Sequence, residues 1–211
     1  MALAPQFSGH RLGSAFAPHT IELYLDYVCP FSAKIYKKIR EQVWPYIEQA
    51  YPDKVKFIFR QQVQPWHASS TIVHEAAIAV EKINDKKFFE FSDALFEHQK
   101  EYFDEALETK SRREIAKELA KLAETVGVPS DKVLELLFNG TGEPKNAGNK
   151  ITNDLKLFIK LGRQNGIHVS PTLLLDGIRD DSVSSGWELD QWKEYLSTKF
   201  DCHVIFQLKS V

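Results

Sequence analysis

Apolar side chains alternate at Ile21, Leu23 and Leu25, which predicts a short strand over residues 20–25. A second run, residues 55–63, carries Val55, Phe57 and Phe59 on one face and predicts another strand. Its centre, Phe57-Ile58-Phe59, is apolar on both faces, as in a central strand covered by helices on each side. Between the two, Ile35, Ile39, Val43 and Ile47 recur every four residues behind Pro30, the spacing of one helical face.

Helical spacing then dominates. Ile72, Ala76, Ala79, Val80 and Ile83 predict a helix capped by Ser69, Ser70 or Thr71, interrupted at Asn84-Asp85. Asp85 is the expected cap of the next, whose Phe88, Phe91, Leu95 and Phe96 have the period of a packed core. Residues 111–126 begin with the Ser111/Glu114 spacing of a capping box, bury Ile115, Leu119, Leu122 and Val126, and stop at Gly127. A short helix follows Pro129, and residues 144–165 predict the last long one of this region, with Ile151, Leu155, Phe158 and Ile159 inward. Four or five helices are therefore expected here. A strand over 172–176, a turn at Gly177, a hairpin partner near 181–185, a helix over 188–199 and an edge strand in 202–208 complete the pattern.

Composition narrows the function classes. With 211 residues, one domain, or one domain with an insertion, is expected, and 43% hydrophobic with 27% charged content is that of a soluble globule. A net charge of −2 provides no basic field for nucleic acid. No apolar run approaches the roughly 18 residues of a membrane span. Residues 1–17 lack the basic-then-apolar order of a secretory signal and read as a flexible leader, so a cytoplasmic location is expected. The two cysteines, Cys29 and Cys202, are no disulfide framework and suit a reducing compartment. Cys202 reads as a small apolar residue at the edge of a core. Asn139-Gly140-Thr141 has the spacing of a glycosylation acceptor, unused without secretion. His67, His74 and His98 lack metal-ligand spacing, so no metal is expected, and no Gly-rich phosphate loop is present. His67 reads as solvated or hydrogen-bonded, or as facing the cleft.

The chemistry centres on Asp26-Tyr27-Val28-Cys29-Pro30, where the first strand hands over to the first helix. Proline is tolerated at a first helical position because its missing N–H would lack a partner there. Free N–H groups and the helix dipole at such a terminus favour a thiolate, the nucleophilic form of cysteine. Ser32, one turn on, can donate a hydrogen bond to that thiolate but cannot form a disulfide with it. Asp26, three residues before the cysteine, is either a proton relay or a turn and capping group.

Cys29-Pro30-Phe31-Ser32 after a strand resembles the active-site turn of thioredoxin-fold proteins, closest to the DsbA-like branch, where Cys-Pro-aromatic-Cys is usual. Residues 166–177, GIHVSPTLLLDG, are similar to that family's Gly-Val-x-Gly-Thr-Pro-Thr stretch, in which a cis-proline precedes a strand. The resemblance covers roughly residues 18–200. It implies an α/β thioredoxin-like fold with an inserted all-helical domain: core 18–65 and 166–211, insertion 66–165. It also implies thiol–disulfide oxidoreductase chemistry through Cys29 and Ser32. In the family the proline packs on the reactive sulfur and the preceding residue offers main-chain bonds to an extended partner. Pro171 and Ser170, with Pro30 and Phe31, would thus contact the substrate.

Serine at the fourth position removes the resolving thiol, so turnover needs an external thiol such as glutathione, or Cys202. The expected partner is a thiol or disulfide, glutathione or protein, with no tightly bound cofactor, glutathione serving as co-substrate. Three further readings stay open. One is a kappa-class-like glutathione transferase or isomerase of the HCCA isomerase superfamily, whose serine-proline-aromatic-serine turn matches at the fourth residue and not the first. Another is a non-catalytic thioredoxin-fold binding module. The third is a glutathione-ligated iron–sulfur site like that of monothiol glutaredoxins, which have glycine where Pro30 stands and lack the helical insertion.

Overall fold

A computed structural model describes residues 9–138, 140 and 144–201. The sheet is built from β1 (Arg11–Leu12), β2 (His19–Leu25), β3 (Val55–Gln61), β4 (Thr172–Leu175) and β5 (Ile178–Arg179). Their order is β1-β3-β2-β4-β5, with β2 and β3 parallel and the other pairs antiparallel. β2 lies at the centre, Ile21 facing Phe57 on one side and Leu175 on the other. Residues 21–25 are all buried, which is why Tyr24 breaks the polar alternation: helices cover both faces.

Pro30–Lys38 forms α1, which continues through a π-helical turn, Ile39–Val43, into α2, Trp44–Ala50. The Trp44 N–H reaches back to the Ile39 carbonyl. That wider turn has two consequences. An α-helix drifts around its axis when apolar residues recur every four positions, and the π turn offsets the drift, so Ile35, Ile39, Val43 and Ile47 are all buried. It also gives room to Pro45, which would otherwise clash with the preceding turn.

Six helices lie between β3 and β4 among the described residues: α3 (Ser70–Ile83), α4 (Phe88–Glu97), α5 (Asp104–Leu107), α6 (Arg112–Thr125), α7 (Ser130–Leu137) and α8 (Thr152–Gln164). The capping box at Ser111 and Glu114 is present. Asn84 caps the turn before α4 in place of Asp85, its side chain accepting from the Lys86 N–H. The last helix among the described residues is α9, Leu189–Phe200. No helix among the described residues is long and apolar enough to cross a membrane.

Three further expectations are corrected. From residue 9 the expected leader 1–17 is held to the sheet: Arg11 and Leu12 pair with Ile58 and Phe57, and His10 is buried. The helix expected over 144–165 starts only at Thr152. Gly148 has φ +80°, and Asn149 turns the chain, its Oδ1 accepting from the Ile151 N–H at 2.9 Å. The hairpin partner of β4 is Ile178–Arg179 and not 181–185, because Asp176 and Gly177 both take positive φ, 52° and 81°, and close a two-residue turn. Cys202, the strand expected in 202–208, and Asn139 and Thr141 of the expected acceptor lie outside the described residues.

Candidate functional site

Beyond Leu25 the chain turns through Asp26, Tyr27 and Val28, all buried, into Cys29, the N-cap of α1. Four hydrogen bonds shape this turn. The Cys29 N–H donates to the Asp26 carbonyl at 3.1 Å, and the Val28 N–H donates to Asp26 Oδ1 at 3.1 Å. Gln99, from the helical insertion, donates through Nε2 to the carbonyls of Tyr27 and Cys29 at 2.7 and 3.0 Å. The insertion therefore grips the turn by its main chain.

Cys29 is 6% exposed, and its thiol donates to the Ser170 carbonyl at 3.4 Å. Ser170–Pro171 is a cis peptide. The loop before it is tied down by Thr172 Oγ1, which donates to the Val169 carbonyl at 2.8 Å. Two segments about 140 residues apart thus meet at one sulfur. Two exposed apolar side chains flank the pair in sequence, Phe31 directly after Pro30 and Val169 directly before Ser170.

Ser32 is fully buried on the inner face of α1. Its hydroxyl accepts from the Asp26 N–H at 3.2 Å, and no hydrogen bond joins it to the Cys29 sulfur among the described residues. Of the residues expected at the site, Cys29 and Ser170 touch, Pro30, Phe31 and Pro171 adjoin them, and Ser32 couples the turn to Asp26.

Asp26 is fully buried, and donors converge on it. Oδ1 accepts from Ser70 Oγ at 3.0 Å as well as from Val28, and Oδ2 accepts from the Gln64 N–H at 3.3 Å. His67 Nδ1 lies 2.8 Å from Oδ2, and His74 Nε2 lies 3.5 Å from Oδ1. Burial pushes the carboxyl up. His74, by contact and charge, then His67 and the Val28 N–H outweigh it and hold Asp26 below its ordinary carboxylate value. Asp26 is therefore a capping group and more: it binds a strand end, two helices and a loop into one polar centre behind the cysteine.

His74 continues that centre into the core. Its Nδ1 meets Gln61 Oε1, Gln61 Nε2 meets His10 Nε2 at 3.1 Å, and His10 Nδ1 lies 2.6 Å from Glu81 Oε1. Sequence spacing does not connect these residues, because they come from the bend before β1, from β3 and from α3. One signal was available for His74: it sits among the apolar positions of α3, where a histidine needs polar partners. Among the described residues no group of three or more metal-ligating side chains comes together.

The thioredoxin family profile matches residues 7–196. No curated protein matches the sequence. Solved structures similar to this chain include a Pseudomonas syringae protein described as a candidate protein-disulfide isomerase, 24% identical, covering 90% of this chain and 99% of its own, with a TM-score of 0.72. BdbD from Bacillus subtilis is 21% identical over 92% of this chain and 94% of its own, with a TM-score of 0.67. The thiol-disulfide exchange protein α-DsbA2 from Wolbachia pipientis is 19% identical over 92% and 90%, with a TM-score of 0.64. At such identities the likeness concerns the fold, helical insertion included, and the profile match over most of the chain makes this chain a member of the thioredoxin family.

Proposed function

We propose that the chain is a thiol–disulfide oxidoreductase that works through one cysteine. The observation that carries the reading is the Cys29 sulfur at the N-cap of α1, 3.4 Å from the carbonyl that precedes cis-Pro171. In the reaction the Cys29 thiolate attacks a disulfide R–S–S–R. An Sγ–S bond forms, the S–S bond breaks, and one RS⁻ leaves with the electron pair. Ser32 cannot take the next step. A small external thiol, glutathione by class, attacks the substrate sulfur of the mixed disulfide: a G–S–S–R bond forms, the Sγ–S bond breaks and Cys29 leaves as thiolate. One turn thus exchanges R–S–S–R for G–S–S–R and R–SH, and a second glutathione acting on G–S–S–R completes the two-electron reduction of the substrate. Such a cycle needs a standing pool of small thiol, which a reducing cytoplasm supplies. Ser170 and Pro171 align the partner, and the exposed Phe31 and Val169 provide apolar surface for a thiol-bearing peptide.

The test is incubation with oxidised glutathione followed by mass spectrometry of proteolytic peptides. One glutathione on the Cys29 peptide, absent in Cys29→Ser, is expected. No adduct at Cys29, or an adduct only at Cys202, overturns the reading. A Cys29→Ser protein that still captures peptide partners as well as the wild type points instead to the binding module.

A further inference from the structure

Among the described residues no second cysteine stands beside Cys29, so a thiol that resolves its mixed disulfide comes from outside and needs an acceptor for its proton. Val28 and Pro30, the two neighbours of Cys29, line a pocket of about 170 Å³. Across it stand His67, Tyr102, Asp104 and Glu105. These groups differ in what they can do with a proton. Burial raises the Tyr102 hydroxyl far above neutrality. Asp104 accepts from the Ala68 N–H at 3.2 Å, and Ser69 on the same wall donates to the Tyr102 carbonyl at 2.6 Å. Glu105 is exposed at the rim. His67 is the side chain of the wall with a ring nitrogen left over. Its Nδ1 is taken by Asp26 Oδ2 at 2.8 Å, and no hydrogen bond is made by Nε2 among the described residues.

The direction of the Nδ1 bond follows from Asp26. Its other close partners, the Val28 and Gln64 N–H groups and the Ser70 hydroxyl, all donate, which is the environment of an ionised carboxylate. His74 faces it from the core side, fixed by Gln61 and through it by His10 and Glu81. With Val28, Gln64 and Ser70 all donating to Asp26, the contact of His67 Nδ1 with Oδ2 is a donation as well, and His67 carries its proton on Nδ1. That leaves the Nε2 lone pair available. Histidine orientation by a buried carboxylate is a general device for making a base near neutral pH.

The geometry points to His67 as a second catalytic group, held by Asp26, which takes the proton of the incoming thiol that resolves the Cys29 mixed disulfide. This rests on the reading of Cys29 as the attacking sulfur. In the step, R–SH gives its proton to His67 Nε2 as its sulfur attacks the partner sulfur of the Cys29–S–S–R′ bond. The new R–S–S–R′ bond forms, the Sγ–S bond breaks, and the electron pair goes to Cys29 Sγ. The imidazolium then returns its proton to solvent or to Sγ. Asp26 touches neither sulfur in this scheme and is a positioning residue.

The experiment uses the full chain glutathionylated at Cys29 with oxidised glutathione. Cysteamine is the attacking thiol, and loss of the adduct is followed by mass spectrometry of acid-quenched samples from about pH 5 to 8. In the wild type the rate should fall less steeply toward low pH than the cysteamine thiolate fraction, which drops tenfold per pH unit. His67→Gln should follow that fraction and be slower at the acid end by about a hundredfold. In His67→Ala, added imidazole should restore rate in proportion to its free base, a rescue that a merely structural defect would not show. An unchanged profile in His67→Gln, or no rescue in His67→Ala, overturns the inference and leaves the Cys29 chemistry standing. A wild-type protein that takes no glutathione at Cys29 overturns both.

Discussion

Replacing Asp26 tests whether the centre behind the cysteine is organised by an ionised carboxylate. In Asp26→Asn the side chain keeps its shape, but one oxygen becomes an NH₂ group that faces donors. The Val28 N–H and Ser70 hydroxyl, or the Gln64 N–H and His67, then lose their acceptor in a fully buried site. A buried donor without a partner costs about 1–3 kcal/mol, and entering water offsets part of that, so a total near 3–5 kcal/mol is expected. That is a large share of the roughly 5–15 kcal/mol that stabilises a domain.

The pH dependence has a definite sign. Asp26 is held below its ordinary value near 3.8 in the folded protein. Its contribution is thus complete above that value and is lost as pH falls through the lower, folded one. Urea unfolding followed by tryptophan fluorescence should show the wild type ahead by several kcal/mol at neutral pH, with the gap narrowing below about pH 4. A variant within about 1 kcal/mol of the wild type at neutral pH, or a gap that does not narrow in acid, would refute the argument.

Two further outcomes follow from other parts of the fold. Gly13→Ala should cost about 1–3 kcal/mol in the same unfolding assay, since φ is +85° and a Cβ would meet the Trp44 ring at 2.8 Å and the Val55 carbonyl at 2.9 Å. The Ser182 hydroxyl first, and then its N–H, Lys199 and Tyr195, hold Asp180 down to about 2 against burial. Asp180→Asn should therefore lower the melting temperature above pH 4, and the two proteins should converge as pH approaches about 2.

Local rules made much of the scaffold legible. Alternation at Ile21, Leu23 and Leu25 and in residues 55–61 marks the two central strands because a pleated strand sends successive side chains to opposite faces. Ser111 and Glu114 mark a helix start because their partners lie within one turn. The same rules fail where neighbours intervene. The apolar residues of 144–165 suggested a longer helix than Asn149 and Gly148 allow. The leader looked unstructured because two residues, Arg11 and Leu12, have no periodicity, yet they complete the edge of β3.

The sequence by itself determined the central strands β2 and β3, the helices that follow each of them and the turn in which Cys29 precedes Pro30, since those depend on bonds and spacings within a few residues. It also matched residues 29–32 and 166–177 to a family of known shape. Only the tertiary structure decided what surrounds that cysteine. The Ser170 carbonyl, the grip of Gln99, the burial of Asp26 and the approach of His67 and His74 depend on segments 40 to 140 residues apart in the chain. Partners at such separations leave no period to read. They are set by how helices and loops close over the sheet, where every buried polar group needs an acceptor or donor from whichever segment packing brings to it.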